Sequence, residues 1–438
     1  MLLLLIASGL LVAALVVPLL GWHRSLFAAV LITLTVASVP LIAFGDSNGP
    51  YIIGVAPPIP TITTATVALL LALVWSATQG VPGRAWWPLV PIIMFVIFGA
   101  IFIWPPSATL SSGVLHVLMA CVAWYVGVGM SGFAHGDSKY SLFVAGLALL
   151  IALTLSVPSW VQWWQGVGVE GFGDRTGGLF AHPSTAGKVA MVLVCLLLPL
   201  SESRNQRTRR VALAAMLIAA SAALPTLSRA NILAIVLVVL GWLALNMKRI
   251  GFSRFFGTVV VLGLVALPFV DNVIQRFVSD PEGTGRPMLT EAALRNIPDR
   301  LYTGTGPSNY VATLMNTDST TAILGAPVHN IFLLVLAEVG VVGVMICIPI
   351  VITVAGAAVR LSLRGETVEY ARALLLLLGG TAFIGLTGWG IMRAPVGQFV
   401  VFVAGVLWGL ASALPQATQF TNANEDRFGI LRGRSAIV

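Results

Sequence analysis

One pattern limits this chain more than any other: apolar runs of membrane-crossing length follow one another from end to end. They lie near residues 2–20, 25–45, 62–79, 86–104, 112–132, 141–160, 186–201, 211–227, 231–247, 255–271, 330–358, 373–391 and 396–414, thirteen in all. A helix needs about 20 apolar residues to cross roughly 30 Å of hydrocarbon, whereas a barrel strand would alternate apolar with polar side chains. The expected fold is therefore all-α, a polytopic transmembrane helical bundle of 12–14 spans with 1–438 as one integral-membrane domain. Charge agrees with this. Only 9% of the 438 residues are charged, against about 25% in soluble domains. So few ions cannot cover a soluble globule, which excludes a soluble enzyme, a nucleic-acid-binding protein and a disordered chain.

The opening MLLLLIASGL has no basic segment and reads as a first span. Cys121, Cys195 and Cys347 sit inside apolar runs without disulfide or metal spacing, so they read as small core residues. Orientation follows from the 24 basic residues. If odd-numbered spans end in the cytoplasm, 16 of the 24 fall inside, including the SRNQRTRR and KRIGFSR runs and three arginines of a cytoplasmic tail at 415–438. That bias satisfies the positive-inside rule with the N-terminus outside. The eight remaining are Arg175, Lys188, Arg229, Arg276, Arg286, Arg295, Arg300 and Arg393, and seven of them lie between 175 and 300. The longest outer connections, 161–185 and 272–329, fall there too, and MLTEAALRNI (288–297) reads as a short helix in the second. Topology does not account for positive charge gathered on the outer face, so this is where function is sought.

Four outer stretches stand out. In GDRTGGLFAHPSTAGK (173–188), Arg175 precedes two glycines and the His182–Pro183 step; glycines let backbone approach a ligand, and a guanidinium offers a planar fork to phosphate oxygens. A bland alternative is pairing of Arg175 with Asp174 or Glu170. In LPTLSRAN (224–231), Ser228 reads as an N-cap and Arg229 falls in the first helical turn, where the dipole disfavours a cation unless an anion joins it; snorkelling to headgroups is the alternative. In PEGTGRPMLTEAALRNIPDR (281–300), Arg286 has no acidic neighbour in the local sequence, whereas Arg295 follows Glu291 by four and reads as a surface ion pair. In 304–340, GTGP lacks the Lys-Ser/Thr of a phosphate-binding loop, but His329 opens a helix, where a neutral imidazole able to accept a proton is favoured over imidazolium. A capping or interface role is the alternative for His329. Tyr310 and Asn330 are candidate sugar contacts, and Glu338, nine residues beyond His329 and out of phase with it, is expected to pair with another helix.

Arginines neutralise a diphosphate without a metal, and a histidine can deprotonate a hydroxyl nucleophile near neutral pH. This chemistry is group transfer from a lipid-linked diphosphate to an alcohol, outside the cytoplasm. The same pieces, in order, carry a family resemblance: DRTGGLFAHPSTAGK, the LSRAN turn, the GR before the loop helix, GTGPSNY and HNIFLLVLAEVG. Over roughly 170–345 the chain resembles the bacterial O-antigen ligase and O-antigen polymerase superfamily. The resemblance implies an integral-membrane glycosyltransferase of the bacterial inner membrane with its site facing the periplasm. It implies an undecaprenyl-diphosphate-linked glycan as donor, a lipid A–core sugar or another glycan as acceptor, inversion at the anomeric centre, and no metal, cofactor or nucleic acid. On it, Arg175, Arg229 and Arg286 would hold the donor diphosphate and His329 would be the base, with His182, Tyr310, Asn330 and Glu338 as secondary candidates. The outer loop 272–329 would carry part of the site.

Ligase and polymerase share donor, fold and motifs; one arginine cluster and a modest outer loop favour a ligase, which holds a single lipid diphosphate. A flippase for lipid-linked oligosaccharide is the reading from a different class. It would place charge at mid-membrane depth in paired halves, and this sequence shows neither.

Overall fold

The computed structural model describes residues 21–44, 56–78, 87–131, 138–169, 175–247, 285–315, 317–363 and 368–412, with isolated positions between 256 and 278. The expected spans at 2–20 and most of 255–271, the tail at 415–438, and Glu170 and Asp174 fall outside the described residues.

The fold is a helical bundle. Its helices are α1 (Trp22–Thr35), α2 (Thr64–Thr78), α3 (Val90–Phe102), α4 (Ala108–Ser131), α5 (Ser138–Trp164), α6 (Pro183–Leu197), α7 (Gln206–Ser221) and α8 (Arg229–Leu245), then α9 (Arg286–Asn296), α10 (Tyr310–Leu314), α11 (Ser319–Leu324), α12 (Ile331–Leu363), α13 (Val368–Thr387) and α14 (Val396–Ser412). Among the described residues, five stretches are long and apolar enough to cross a membrane: Ala108–Ser131, Lys139–Trp164, Pro183–Glu202, Ile331–Leu363 and Val368–Thr387. The helices Thr64–Thr78, Val90–Phe102, Arg229–Leu245 and Val396–Ser412 are apolar but shorter.

The sequence pattern overruns in one place. The apolar stretch at 25–45 is not one span: α1 ends at Thr35, and β1 (Pro40–Ala43) pairs antiparallel with β2 (Thr61–Thr63). Pro40 cannot donate to a helix and disfavours helical backbone at the residue before it, so apolarity continues where helix cannot. A reciprocal pair of bonds then starts α2: Thr66 N donates to Thr63 Oγ1 at 3.2 Å, and Thr63 N to Thr66 Oγ1 at 3.3 Å, a capping-box arrangement.

The core forms around α6. Every described side chain from Pro183 to Leu197 except Thr185 is buried, because α5, α7, α8 and α13 pack on it. Small residues permit that approach. Gly187 faces Asn231 of α8, where an added Cβ would lie 2.7 Å from the Asn231 amide nitrogen. The segment between α8 and α12 adds a satellite core of Ala293, Ile297, Tyr310, Val311, Leu314, Val328, Leu334, Ala337 and Trp389.

A break in α12 joins this satellite to the bundle. Gly340 has φ 66° and ψ −175° inside an otherwise helical run, a backbone region essentially reserved to glycine. The backbone of 301–306 fills the gap: Val341 N donates to Leu301 O (2.8 Å), Val342 N to Tyr302 O (3.1 Å), Thr305 N to Ala337 O (3.0 Å) and Gly306 N to Glu338 O (2.7 Å). The groups freed by the break are thus met by a loop, as burial demands. Trp104 Nε1 also donates to Thr303 O at 2.8 Å, and Asn309 Oδ1 accepts from Ser107 Oγ and Thr109 Oγ1, each at 2.7 Å. The GTGPSNY segment is therefore a splint between the α12 break and the start of α4.

Candidate active site

Several helix starts converge at one end of the bundle. His182 caps α6: its Nδ1 accepts from Ser184 N at 3.2 Å and from the Ser184 hydroxyl at 2.8 Å. Two acceptor contacts on Nδ1 fix the neutral ring with its proton on Nε2. The start of α8 docks beside it, since Asn231 Nδ2 donates to Ser184 O at 2.7 Å. Arg175 is tied to the turn before α8: its Nε donates to Thr226 O at 3.0 Å, and Thr176 N donates to Pro225 O at 3.2 Å. Arg229 is the first residue of α8 and Arg286 the first of α9. Ser228 is the N-cap residue of α8 but its side chain makes no capping bond. His329 lies two residues before α12, whose cap is Asn330: Asn330 Oδ1 accepts from Phe332 N at 2.9 Å and Leu333 N at 3.3 Å.

Electrostatics ties these groups together. His182 is pushed down to about 3, first by burial and then by the charges of Lys188, Arg175, Arg393 and His329. His329 is pushed down to about 4 by burial, then by Arg286 and Lys188. Both imidazoles are neutral at neutral pH, because burial and surrounding cations each penalise imidazolium. The Nδ1 of His329 is buried with no hydrogen-bond partner among the described residues. Helix starts add partial positive charge to the same region. The region thus gathers positive charge around two uncharged imidazoles.

Arg175, Arg286, His182 and His329 thus share one charge environment, and Arg229 enters through the α8 start. Other candidates lie elsewhere. Tyr310 is 2% exposed in the satellite core; its hydroxyl has no partner among the described residues, and burial raises the phenol to about 12. It lines a small recess with Asn296, Arg300 and Thr305. The side-chain oxygen of Asn330 is engaged in capping. Glu338, expected to pair with another helix, accepts the backbone N–H of Ser308 in the splint among the described residues. Arg295 makes the expected contact with Glu291 at 3.8 Å, and a closer one with Asp318 at 3.3 Å. Asp318 also caps α11 through Thr321 N at 2.8 Å, and these contacts hold its carboxyl below the usual range against the opposing effect of burial.

Two more of the outer-face cations belong here, Lys188 and Arg393, neither of which the sequence pattern singles out for the site. Arg393 sits in the turn between α13 and α14, and that turn is held from α4: the ring of His116 contacts Met392 O through Nε2 at 2.9 Å and Gln398 Nε2 through Nδ1 at 3.3 Å. Only the fold brings these elements together.

Five helices of crossing length among the described residues give the bundle the build of a multi-pass membrane protein, with cations gathered at one end. The family model described as O-antigen ligase matches residues 214–348, so over that stretch the chain is similar to the O-antigen ligase family. Arg229, Arg286 and His329 lie within the matched stretch, and Arg175, His182, Lys188 and Arg393 outside it. A search of curated proteins gives no match.

Proposed function

We propose that this protein is an O-antigen ligase of the bacterial inner membrane, working at its periplasmic face. It transfers a glycan from undecaprenyl diphosphate to a sugar hydroxyl of lipid A–core. Arg175, Arg229 and Arg286 bind the donor diphosphate, and the outer loop 272–329 supplies the last of them. His329 takes the proton of the acceptor hydroxyl; the hydroxyl oxygen attacks the anomeric carbon from the face opposite the leaving group. The bond from that carbon to the diphosphate oxygen breaks, and the electron pair leaves on the diphosphate. The arginines stabilise that growing charge. Direct displacement inverts the anomeric centre. His182 supports the site directly, while Tyr310, Asn330 and Glu338 belong to the architecture around it.

The observation that carries this reading is His329: a neutral imidazole with an unpartnered buried nitrogen, beside Arg286 and Lys188. An imidazole held neutral by burial and by cations accepts a proton more readily once an anion offsets the cations. The pH dependence follows in sign. Transfer needs neutral His329, so it is lost as pH falls through the histidine value. For kcat/KM, which reports the free enzyme, that limb should lie near pH 4. For kcat it should lie higher, because bound diphosphate raises the histidine.

The test is transfer by purified protein in EDTA, given undecaprenyl-diphosphate-linked glycan with and without lipid A–core. Glycan joined to lipid A–core supports the ligase. Lengthened lipid-linked glycan without core makes the protein a polymerase. No product, with glycolipid crossing a vesicle bilayer instead, makes it a flippase.

A further inference from the structure

The buried end of α6 holds a residue that this mechanism does not use. Lys188 lies in the second turn of α6, a helix otherwise apolar and enclosed by four others. Helical side chains lean toward the N-terminus, so its ammonium returns to the first turn and donates to Ser184 Oγ at 3.0 Å. The residue is 8% exposed. A Cβ at Gly390 would lie 2.4 Å from Nζ, so that glycine leaves the room the ammonium occupies. The charges acting on Lys188 are those of Arg393, Arg175 and Arg286.

Such a placement is unfavourable in isolation. A buried ammonium is costly unless its charge is met, and its hydrogen bond here goes to a neutral hydroxyl. Neighbouring guanidiniums and a helix N-terminus raise the cost further. Packing alone would be better served by methionine. We propose that Lys188 is a binding residue for the donor diphosphate, the innermost cation of the site, with Ser184 and His182 as its positioning residues. Ser184 receives one N–H of the ammonium and donates its own proton to His182 Nδ1 at 2.8 Å, which leaves the other two N–H groups for phosphate oxygens. The proposal rests on the reading of the site as one that uses a lipid-linked diphosphate. A phosphate carried by the acceptor would offer the same chemistry, and kinetics separates the two.

The experiment uses the full chain, purified, as wild type, Lys188→Met and Ser184→Ala. Thermal unfolding is followed with and without inorganic diphosphate, and donor and acceptor KM are measured. Without anion, Lys188→Met should unfold at the same temperature as wild type or higher, because repulsion is relieved. Its stabilisation by diphosphate should shrink, and its donor KM should rise roughly ten- to a hundredfold, with acceptor KM unchanged. Ser184→Ala should move donor KM in the same direction by less. Several results would overturn the proposal: diphosphate stabilisation undiminished in Lys188→Met or absent from wild type, a shift in acceptor KM alone, or poorer folding of Lys188→Met without anion, which would make the lysine structural. A wild type that is stabilised by diphosphate through Lys188 yet transfers nothing would sink the ligase reading and keep the anion site. Transfer by Lys188→Met with unchanged donor KM would do the opposite.

Discussion

Two glycine-containing stretches, DRTGGLFAHPSTAGK and GTGPSNY, look alike as sequence, and the fold uses them in opposite ways. Around GTGPSNY the polar groups, the Tyr310 hydroxyl apart, are met by protein: the loop amides bond to carbonyls before the α12 break, Asn309 bonds to Ser107 and Thr109, and Ser308 N bonds to Glu338. Around the start of α6, cations crowd cations and the two imidazoles are held uncharged. A stretch whose polar groups are satisfied internally is architecture. One that gathers like charge at helix starts is where the proposed diphosphate would be held.

The contrast can be broken from either side. Gly340→Val would force a β-branched residue into glycine-only backbone, with an added Cβ 2.3 Å from Tyr302 O. It should cost more than about 3 kcal/mol, seen as loss of folded protein in detergent. Wild-type stability there would mean the splint is not what holds α12. Arg229→Ala should do the reverse, raising donor KM roughly ten- to a hundredfold while the unfolding temperature holds. A stability loss without a donor effect would move Arg229 to the architectural side. Trp104→Phe removes one buried hydrogen-bond donor to Thr303 O and should cost about 1 kcal/mol, read by thermal unfolding, with KM values unchanged. Arg295→Ala should be mildest, at about 0.5 kcal/mol or less because the Glu291 pair is exposed. Complete loss of transfer there would mean that α9 meets substrate through its other end.

Much of the bundle was legible because hydrocarbon imposes length and apolarity on every span. The loop helix, the α8 start at Arg229 and the Glu291–Arg295 pair also follow from local rules. The break at Gly340 was not legible: glycine is common in apolar helices, and only the 301–306 backbone arriving from another segment makes that one a hinge. The strand at Pro40–Ala43 was hidden by its apolarity. Lys188 and Arg393 were counted on the outer face but not assigned to the site, because their meaning lies in one another's company. Tyr310, within a conspicuous motif, was read as a candidate sugar contact, and the structure sets it in a core, since aromatic residues serve both roles.

The central claim is that a neutral His329 serves as base beside a cation-lined diphosphate site. The most direct measurement compares His329→Ala with wild type for both glycan transfer and binding of the lipid-linked donor. Transfer should fall roughly a hundred- to ten-thousandfold while donor affinity stays near wild type. Transfer at the wild-type rate would remove His329 from the chemistry and contradict the account.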